Sequence, residues 1–234
     1  MTTIELSVLQ ALEPVAFNLY RDIHKGIRAE LFAVTGAAGS LDPADRAGRA
    51  DLACHVHTVT DMLVRHAEHE DAAIQPVLET HLPALAEVVA ADHPVLEARI
   101  TAIRALADNA VEAPSFARRG DVHRVYMELA SFTSAYLAHQ DLEERHIMPA
   151  LQRAVGPEQV LAIHHAIIGA IPPDEMAKAL AMMLPALNLD DRSELLGGMQ
   201  QNAPAEVFAQ VFGLARSVLA PTDGNALARR LGVD

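Results

Sequence analysis

Two His-x-x-x-Glu pairs are the residues of this 234-residue chain whose types and spacing best suit chemistry. The first pair is His66 with Glu70, and the second is His139 with Glu143. On an α-helix, residues four apart lie on one face, about 6 Å apart along the axis. Imidazole and carboxylate donors together suit iron or manganese better than a set of thiolates would. The two pairs therefore predict two half-sites that together hold a pair of metal ions.

The two pairs repeat one pattern. The His and the Glu both recur after 73 residues, and a proline follows each His by ten residues, Pro76 after His66 and Pro149 after His139. This repetition favours two versions of one helical unit, related by a pseudo-twofold arrangement. A single His-x-x-x-Glu is usually an exposed pair on a helix surface. The metal interpretation therefore depends on the repetition and not on either pair alone.

Four apolar patterns of helical period position these residues. The predicted helices cover residues 14–34, 43–76, 83–111 and the stretch from a turn at 113–115 to about 154. Residues 36–40 are predicted to be a loop, Asp42 to cap the second helix, and Pro94 to kink or restart the third. Four long helices with short connections predict an all-α fold, an antiparallel up-down four-helix bundle over residues 1–155.

The sequence pattern changes from Gly156 onward, where Pro and Gly residues divide the chain into shorter segments. Amphipathic patterns there predict three helices, over residues 174–184, 189–199 and 206–219. Residues 156–234 are therefore assigned to a C-terminal helical extension. We expect it to pack on the bundle or to mediate self-association into a homo-oligomer, with the last dozen residues only partly ordered.

Composition excludes several function classes. The formal net charge is −13 and no Lys/Arg cluster interrupts it, which argues against nucleic acid and anionic membranes as partners. Cys54 is the single cysteine, which excludes an internal disulfide, and we expect it to pack as a small buried residue. Residues 1–6 have neither the basic nor the apolar region of a signal peptide, and no run of about 20 apolar residues occurs. We expect a soluble, cytoplasmic protein.

Two further histidines complete an ordered set, His24 on the apolar stripe of the first helix and His93 on the third. The order His, His-x-x-x-Glu, His, His-x-x-x-Glu over residues 14–155 resembles the hemerythrin-like family, also called the HHE cation-binding domain. The resemblance implies a bundle that holds two iron ions, bridged by carboxylates and an oxo or hydroxo group, with zinc and manganese as alternatives. The implied metal ligands are His24, His66, Glu70, His93, His139 and Glu143, the two glutamates being the bridges.

The fifth-histidine position departs from the pattern of oxygen-carrying members of that family. In those proteins a further His follows the third-helix His by four residues, but this chain has Glu97 there. Those proteins also typically have an Asp slightly later on the fourth helix, where this chain has Glu143. A carboxylate at position 97 would favour the ferric state, so simple reversible oxygen carriage is not expected. Tyr20 and Tyr136 are further candidates to approach the metals, the alternative being that they are core residues.

The other histidines are given no ligand role. His55 lies three turns from His66, about 16 Å away, and is a candidate for lining an access channel. His146 follows Glu143 with Glu-x-x-His spacing, which gives an alternative assignment in which it displaces His139. That alternative is rejected because Ala73 stands at the matching position of the first pair. His57 and His69 are expected to point off the metal face, His81 to lie in a loop, and His164 and His165 to be structural, a secondary surface metal site being the alternative.

Three interpretations of the function follow. The leading one is a non-haem di-iron protein that binds or reacts with dioxygen, peroxide or nitric oxide in sensing, storage or detoxification, and whether it is an enzyme stays open. No nucleotide-binding or hydrolase motif and no cleft for an organic substrate is visible. The alternative is a metal-dependent regulatory module that responds to iron or oxygen and contacts partners through the C-terminal helices. A purely structural bundle, empty or with zinc, is the third interpretation.

Overall fold

All regular secondary structure in the described part of the chain is helical. The computed structural model describes residues 12–233, so the expectation drawn from residues 1–6 lies outside it. The α-helices there are α1 (Arg21–Ser40), α2 (Arg46–Ala73), α3 (Gln75–His81), α4 (Pro83–Val111), α5 (Arg118–Leu142), α6 (Met148–Val155), α7 (Pro157–Ala170), α8 (Pro173–Ala186), α9 (Leu189–Asn202), α10 (Ala205–Val218) and α11 (Pro221–Leu231). A π-helical segment, Glu143–Ile147, joins α5 to α6. The predicted all-α class is confirmed.

Four long helices surround the main apolar core. Helix α1 packs against α2 and α5, and α4 packs against the same two helices. Each of the four contributes a side chain that is at most 2% exposed, namely Ile27, Val56, Ile103 and Phe132. Burial of such side chains provides most of the stability of packed helices. The core therefore fixes the spacing between the helices that carry the predicted ligands.

Helix α1 is shifted along the chain relative to its prediction. It begins at Arg21, because Asn18 Oδ1 accepts hydrogen bonds from the backbone N–H of Tyr20 (3.0 Å) and of Arg21 (3.1 Å), which holds the preceding chain out of the helix. The predicted loop at residues 36–40 was wrong, since α1 continues to Ser40. A glycine costs a helix only about 1 kcal/mol, and the extra turn buries Ala38 in the core.

The second predicted helix is divided in two. Asp42 Oδ1 accepts from the N–H of Ala44 (2.9 Å) in a turn before α2, so Asp42 does not cap that helix as predicted. Ile74 separates α2 from α3, and Pro76 lies in the first turn of α3, where its missing N–H is not needed. His81 is the last residue of α3 and so lies in a helix, contrary to its predicted place in a loop.

Helix α4 has the predicted bounds, but it runs through Pro94 without restarting. The fourth predicted helix reaches residue 155 as α5, the π-segment and α6 in succession. In the π-segment the N–H of Met148 donates to the carbonyl of Glu143, five residues earlier, which widens the turn. Cys54 is exposed, so its predicted burial was wrong.

The C-terminal extension packs on the rest of the molecule. Val160 and Ile163 of α7 join a second apolar cluster with Leu78 and Leu151. Helices α8 to α11 build a third cluster, and Ile23 of α1 packs against it. Helices α8, α9 and α10 correspond to the three predicted segments. The last dozen residues were expected to be only partly ordered, but those at 223–231 belong to α11, which buries Leu227 completely, and residue 234 lies outside the described residues.

Helix α8 crosses α1 at a glycine. A Cβ added to Gly26 would lie 2.2 Å from Met182 Sδ and 3.2 Å from the Cα of Met183, so the two backbones approach closely only because position 26 is glycine. An ion pair between Lys25 and Asp191 joins α1 to α9 beside this crossing. The division of the chain at residues 155 and 156 stays a prediction. Among residues 12–233, no helix combines the length and apolar character that crossing a membrane requires.

Candidate metal centre

The structure brings all six predicted ligands together. They form two groups, Glu70, His93, His139 and Glu143 in one and His24, His66 and Glu70 in the other. Within each group, one potential ligand atom per residue lies within 4.8 Å of the others. The side chains come from α1, α2, α4, α5 and the π-segment. That these residues bind metal stays a prediction.

Each His-x-x-x-Glu pair has the contact that its spacing predicts. His66 Nε2 lies 3.2 Å from Glu70 Oε1, and His139 Nε2 lies 3.2 Å from Glu143 Oε1. In both pairs the imidazole and the carboxylate face the interior from the same side of the helix. The repeated sequence pattern thus has a repeated geometry.

The second oxygen of each glutamate faces a histidine of another helix. Glu70 Oε2 lies 3.8 Å from His93 Nε2, and Glu143 Oε2 lies 3.5 Å from His24 Nε2. Each carboxylate therefore has one oxygen beside each of two histidine pairs, which we call the first half (His24 with His66) and the second half (His93 with His139). A carboxylate placed in this way can bridge two cations.

Several of these polar atoms are buried without a hydrogen-bond partner. They are Glu70 Oε1, His93 Nε2 and Glu143 Oε2. Glu143 is 1% exposed and Glu70 is 6% exposed. A buried acceptor without a donor costs about 1–3 kcal/mol, and such groups call for a specific explanation. Cations bound between the carboxylates and the imidazoles would pair all of them, so the residues fit a metal centre.

Carboxylates outside the centre fix the proton on three of the rings. His24 donates from Nδ1 to Glu144 Oε1 (2.8 Å), and His93 donates to Asp71 Oδ1 (2.8 Å). His139 donates from Nδ1 to Asp92 Oδ2 (3.3 Å). Because an ionised carboxylate only accepts, the proton of each neutral ring lies on Nδ1 and Nε2 has a lone pair. These contacts aim three lone pairs inward, as metal-binding histidines require.

Burial and neighbouring charges shift the pKa values of the candidate ligands. Burial raises the pKa of Glu70, and the nearby charge of Glu143 raises it further. Burial lowers the pKa of His66, and the other three histidines of the centre lower it further. Burial also lowers the pKa of His139, but the contacts with Glu143 and Asp92 outweigh it, and the pKa is raised. The repulsion between buried carboxylates is what a bound cation would relieve.

The two tyrosines lie in the wall of the centre. The Tyr20 ring centroid is 5.1 Å from that of His24, and the Tyr136 centroid is 5.9 Å from that of His139. Burial raises the pKa of both phenols, and Glu70 and Glu143 raise it further. Both tyrosines are therefore neutral near pH 7, and their rings belong to the apolar clusters as well.

Glu97 does not reach the centre. Its side chain is exposed, and it belongs to neither group of candidate ligands. The inference that a carboxylate at this position tunes the metals was wrong. His146 is exposed too, which agrees with rejecting it as a ligand. Other histidines form surface contacts: His55 with Glu30, His57 with Asp108, His69 with Glu175, and His164 with Phe17.

Sequence reasoning missed the carboxylates that orient the rings. Asp71 follows Glu70, Asp92 precedes His93, and Glu144 follows Glu143, so a signal existed in the acidic neighbour of a ligand. It also missed Arg28, which donates from Nη1 to Glu144 Oε1 (2.6 Å). The π-segment thus places two consecutive glutamates against the two nitrogens of one imidazole, His24.

Comparison with known proteins gives one finding. The family model described as Hemerythrin HHE cation binding domain matches residues 15–151, which is more than half of the chain and a range that contains all six predicted ligands. Neither the curated proteins nor the solved structures gave a significant match.

Proposed function

The chain belongs to the hemerythrin HHE cation-binding domain family, and we propose that it is a non-haem di-iron protein that binds or reacts with dioxygen, peroxide or nitric oxide. The observation that carries this proposal is the pair of buried carboxylates, Glu70 and Glu143, each with one oxygen beside each histidine pair. Two imidazoles per ion and two shared carboxylates are a donor set that suits iron, with manganese or zinc as alternatives.

We propose that α1, α2, α4 and α5 form the antiparallel up-down bundle of this family. The contacts of α1 and α4 with both α2 and α5 support it, as does the repeated motif on α2 and α5. In this arrangement His24 and His66 hold one ion, and His93 and His139 hold the other. A cytoplasmic location stays a prediction from the sequence.

The chain's own residues have three tasks around the ions. Bound iron would supply Lewis acidity and one-electron redox chemistry to a small molecule. Glu144, Asp71 and Asp92 hold the proton on Nδ1 of their histidines and so orient the rings. The surrounding apolar side chains exclude water and so strengthen the electrostatic contacts. No organic substrate enters this proposal.

Metal content and the optical spectrum of the purified full-length protein test the proposal. We expect two irons per chain, with near-ultraviolet absorption from an oxo- or hydroxo-bridged pair. His139→Ala should lose both the iron and the absorption, whereas His57→Ala should retain them, because the His57 side chain contacts Asp108 and lies outside both groups of candidate ligands. A wild-type protein that binds no iron, or an undisturbed spectrum in His139→Ala, would contradict the proposal.

The contact between α1 and α8 favours a second function, a regulatory module in which the extension responds to metal occupancy. His24 is two residues from Gly26, where α8 packs. Metal binding at His24 would then change the stability of the extension, through which partner contacts or self-association are expected. Thermal stability that does not change when a chelator removes the metal would exclude this function, because metal and fold would then be uncoupled.

A further inference from the structure

A small cavity extends from the carboxylates of the metal centre toward the junction of α2 and α3. Its lining includes Tyr20, Glu70, Glu143, Gln75 and Asp71. Its volume is about 10 Å³, on the scale that holds one water molecule. The Asp71 side chain is 53% exposed, so this cavity lies between the centre and the solvent.

The amide of Gln75 has one fixed orientation. Its Nε2 donates to the carbonyl of Ala86 (3.2 Å) and to Glu79 Oε1 (3.3 Å). Rotating the amide by half a turn would set its oxygen against those two acceptors, so the assignment of oxygen and nitrogen is determined by the network. The remaining atom, Oε1, is buried and has no hydrogen-bond partner. Gln75 therefore offers an unpaired acceptor in a residue that lines the cavity.

An unpaired acceptor beside this centre discriminates between small ligands. Dioxygen and nitric oxide have no hydrogen to donate, whereas hydrogen peroxide has two O–H groups. Sites whose buried polar groups are left unpaired by a ligand reject that ligand strongly. Tyr20 lines the same cavity, and a phenol O–H is a group that can donate to an oxygen of a ligand. Hydrogen peroxide both donates and accepts, and a single O–H group of a ligand bound at the centre suits a cavity of this size.

We propose that Gln75, together with Tyr20, is a specificity-determining residue that makes the centre prefer hydrogen peroxide to dioxygen and nitric oxide. This inference deepens the proposed function and rests on it, because it names the ligand of the same iron site. Water is the competing occupant of the cavity, since it donates and accepts in the same way.

The test compares two ligands in the iron-loaded, full-length protein. Gln75→Met keeps the length of the side chain and removes the acceptor. We expect about tenfold weaker binding of hydrogen peroxide, the size of one lost hydrogen bond, read from the concentration dependence of the first spectral change after rapid mixing. Binding of nitric oxide, titrated by absorption, should change less than about twofold. The matched control is Gln159→Met, because Gln159 is exposed at the start of α7.

The outcomes separate the inference from the function on which it rests. If Gln75→Met weakened the binding of both ligands equally, or weakened neither, the specificity role would be overturned. The di-iron function would still hold if the wild type contained two irons per chain and bound nitric oxide. Should Gln75→Met not load with iron, Tyr20→Phe removes the hydroxyl and keeps the ring. An unchanged ratio of peroxide to nitric oxide affinity in Tyr20→Phe would then overturn the inference.

Discussion

At the scale of single residues, Glu70 and Glu143 tie stability to metal. Both are buried, and burial together with the nearby charge of Glu143 raises the pKa of Glu70. Glu70→Gln keeps the size and removes one charge, so the metal-free variant should melt above the metal-free wild type by about 2–4 °C, the shift expected for roughly 1 kcal/mol in a protein of this size. The same variant lacks a carboxylate that is proposed to bridge the two ions, so added iron should raise its melting temperature far less than that of the wild type.

Calorimetry of both proteins with and without iron checks this pair of effects. Glu68→Gln is the matched control, because Glu68 lies on the same helix but is exposed and contacts Arg65 at the surface. An equal iron-induced rise in Glu70→Gln and in the wild type would show that Glu70 is not part of the centre.

Glu144 is the residue whose removal should separate the two halves of the centre. It accepts from His24 Nδ1 and is itself held by Arg28. Loss of such a carboxylate behind a metal-binding histidine typically costs 10–100-fold in metal affinity. Glu144→Gln should therefore lower the affinity for the ion at His24 and His66 by about this factor. The affinity for the ion at His93 and His139 should stay near its wild-type value.

Competition with a chelator, followed by metal analysis, measures the two affinities of Glu144→Gln. Glu128→Gln serves as the control, since Glu128 is exposed on α5. If Glu144→Gln lost both ions at the same chelator concentration, or kept both with wild-type affinity, Glu144 would not act through His24.

The ligand positions could be predicted from the sequence, but their surroundings could not. His-x-x-x-Glu is a contact within one helix, and the repeat and the family resemblance added His24 and His93. The bonds of Glu144 and Asp92 to histidines join different helices, so no local spacing encodes them. Glu97 was misjudged because the buried stripe of α4 passes through Leu96 and Ile100, which leaves position 97 on the outside.

At the scale of helices, two glycines of α1 should respond oppositely to the same substitution. A Cβ at Gly26 would meet Met182 and the backbone of Met183, whereas nothing lies within 4 Å of one at Gly36. Overpacking costs about 1–3 kcal/mol, against about 1 kcal/mol gained from replacing glycine in a helix. Gly26→Ala should therefore destabilise the protein by up to about 2 kcal/mol, and Gly36→Ala should stabilise it by about 0.5–1 kcal/mol.

Urea denaturation of the two variants measures both free energies of unfolding. Each glycine controls for the other, because the substitution and the helix are the same. Stabilisation in both variants would mean that α8 does not pack on α1 at Gly26.

The helices themselves were predicted unevenly, for identifiable reasons. The bounds of α4 were predicted correctly because Pro83 marks its start and its apolar pattern of helical period extends over many residues. The end of α1 was misplaced because the burial of Ala38 in the core outweighs the low helix propensity of Gly36. The π-segment Glu143–Ile147 was missed because the extra residue in its wide turn leaves the apolar period on either side unchanged and has no residue signature of its own.

At the scale of the whole molecule, α1 connects the metal centre to the extension. One side of it supplies His24 to the centre, and another contacts α8 at Gly26 and pairs Lys25 with Asp191. A ligand that binds only the folded state stabilises whatever unfolds together with its site. Metal loading should therefore slow amide hydrogen exchange in α1, α2, α4 and α5, and also in α8.

The pattern of protection distinguishes a coupled extension from an independent one. In the wild type we expect slower exchange on iron loading over Pro173–Ala186, and a smaller change over Ala205–Val218, which packs mainly on α8 and α9. Gly26→Ala should retain the protection of α1 and lose much of that of α8, since it loosens only the crossing. Protection confined to the four long helices in the wild type would contradict coupling. It would also remove the structural basis for the regulatory function, because a partner bound to the extension could then not sense the metal.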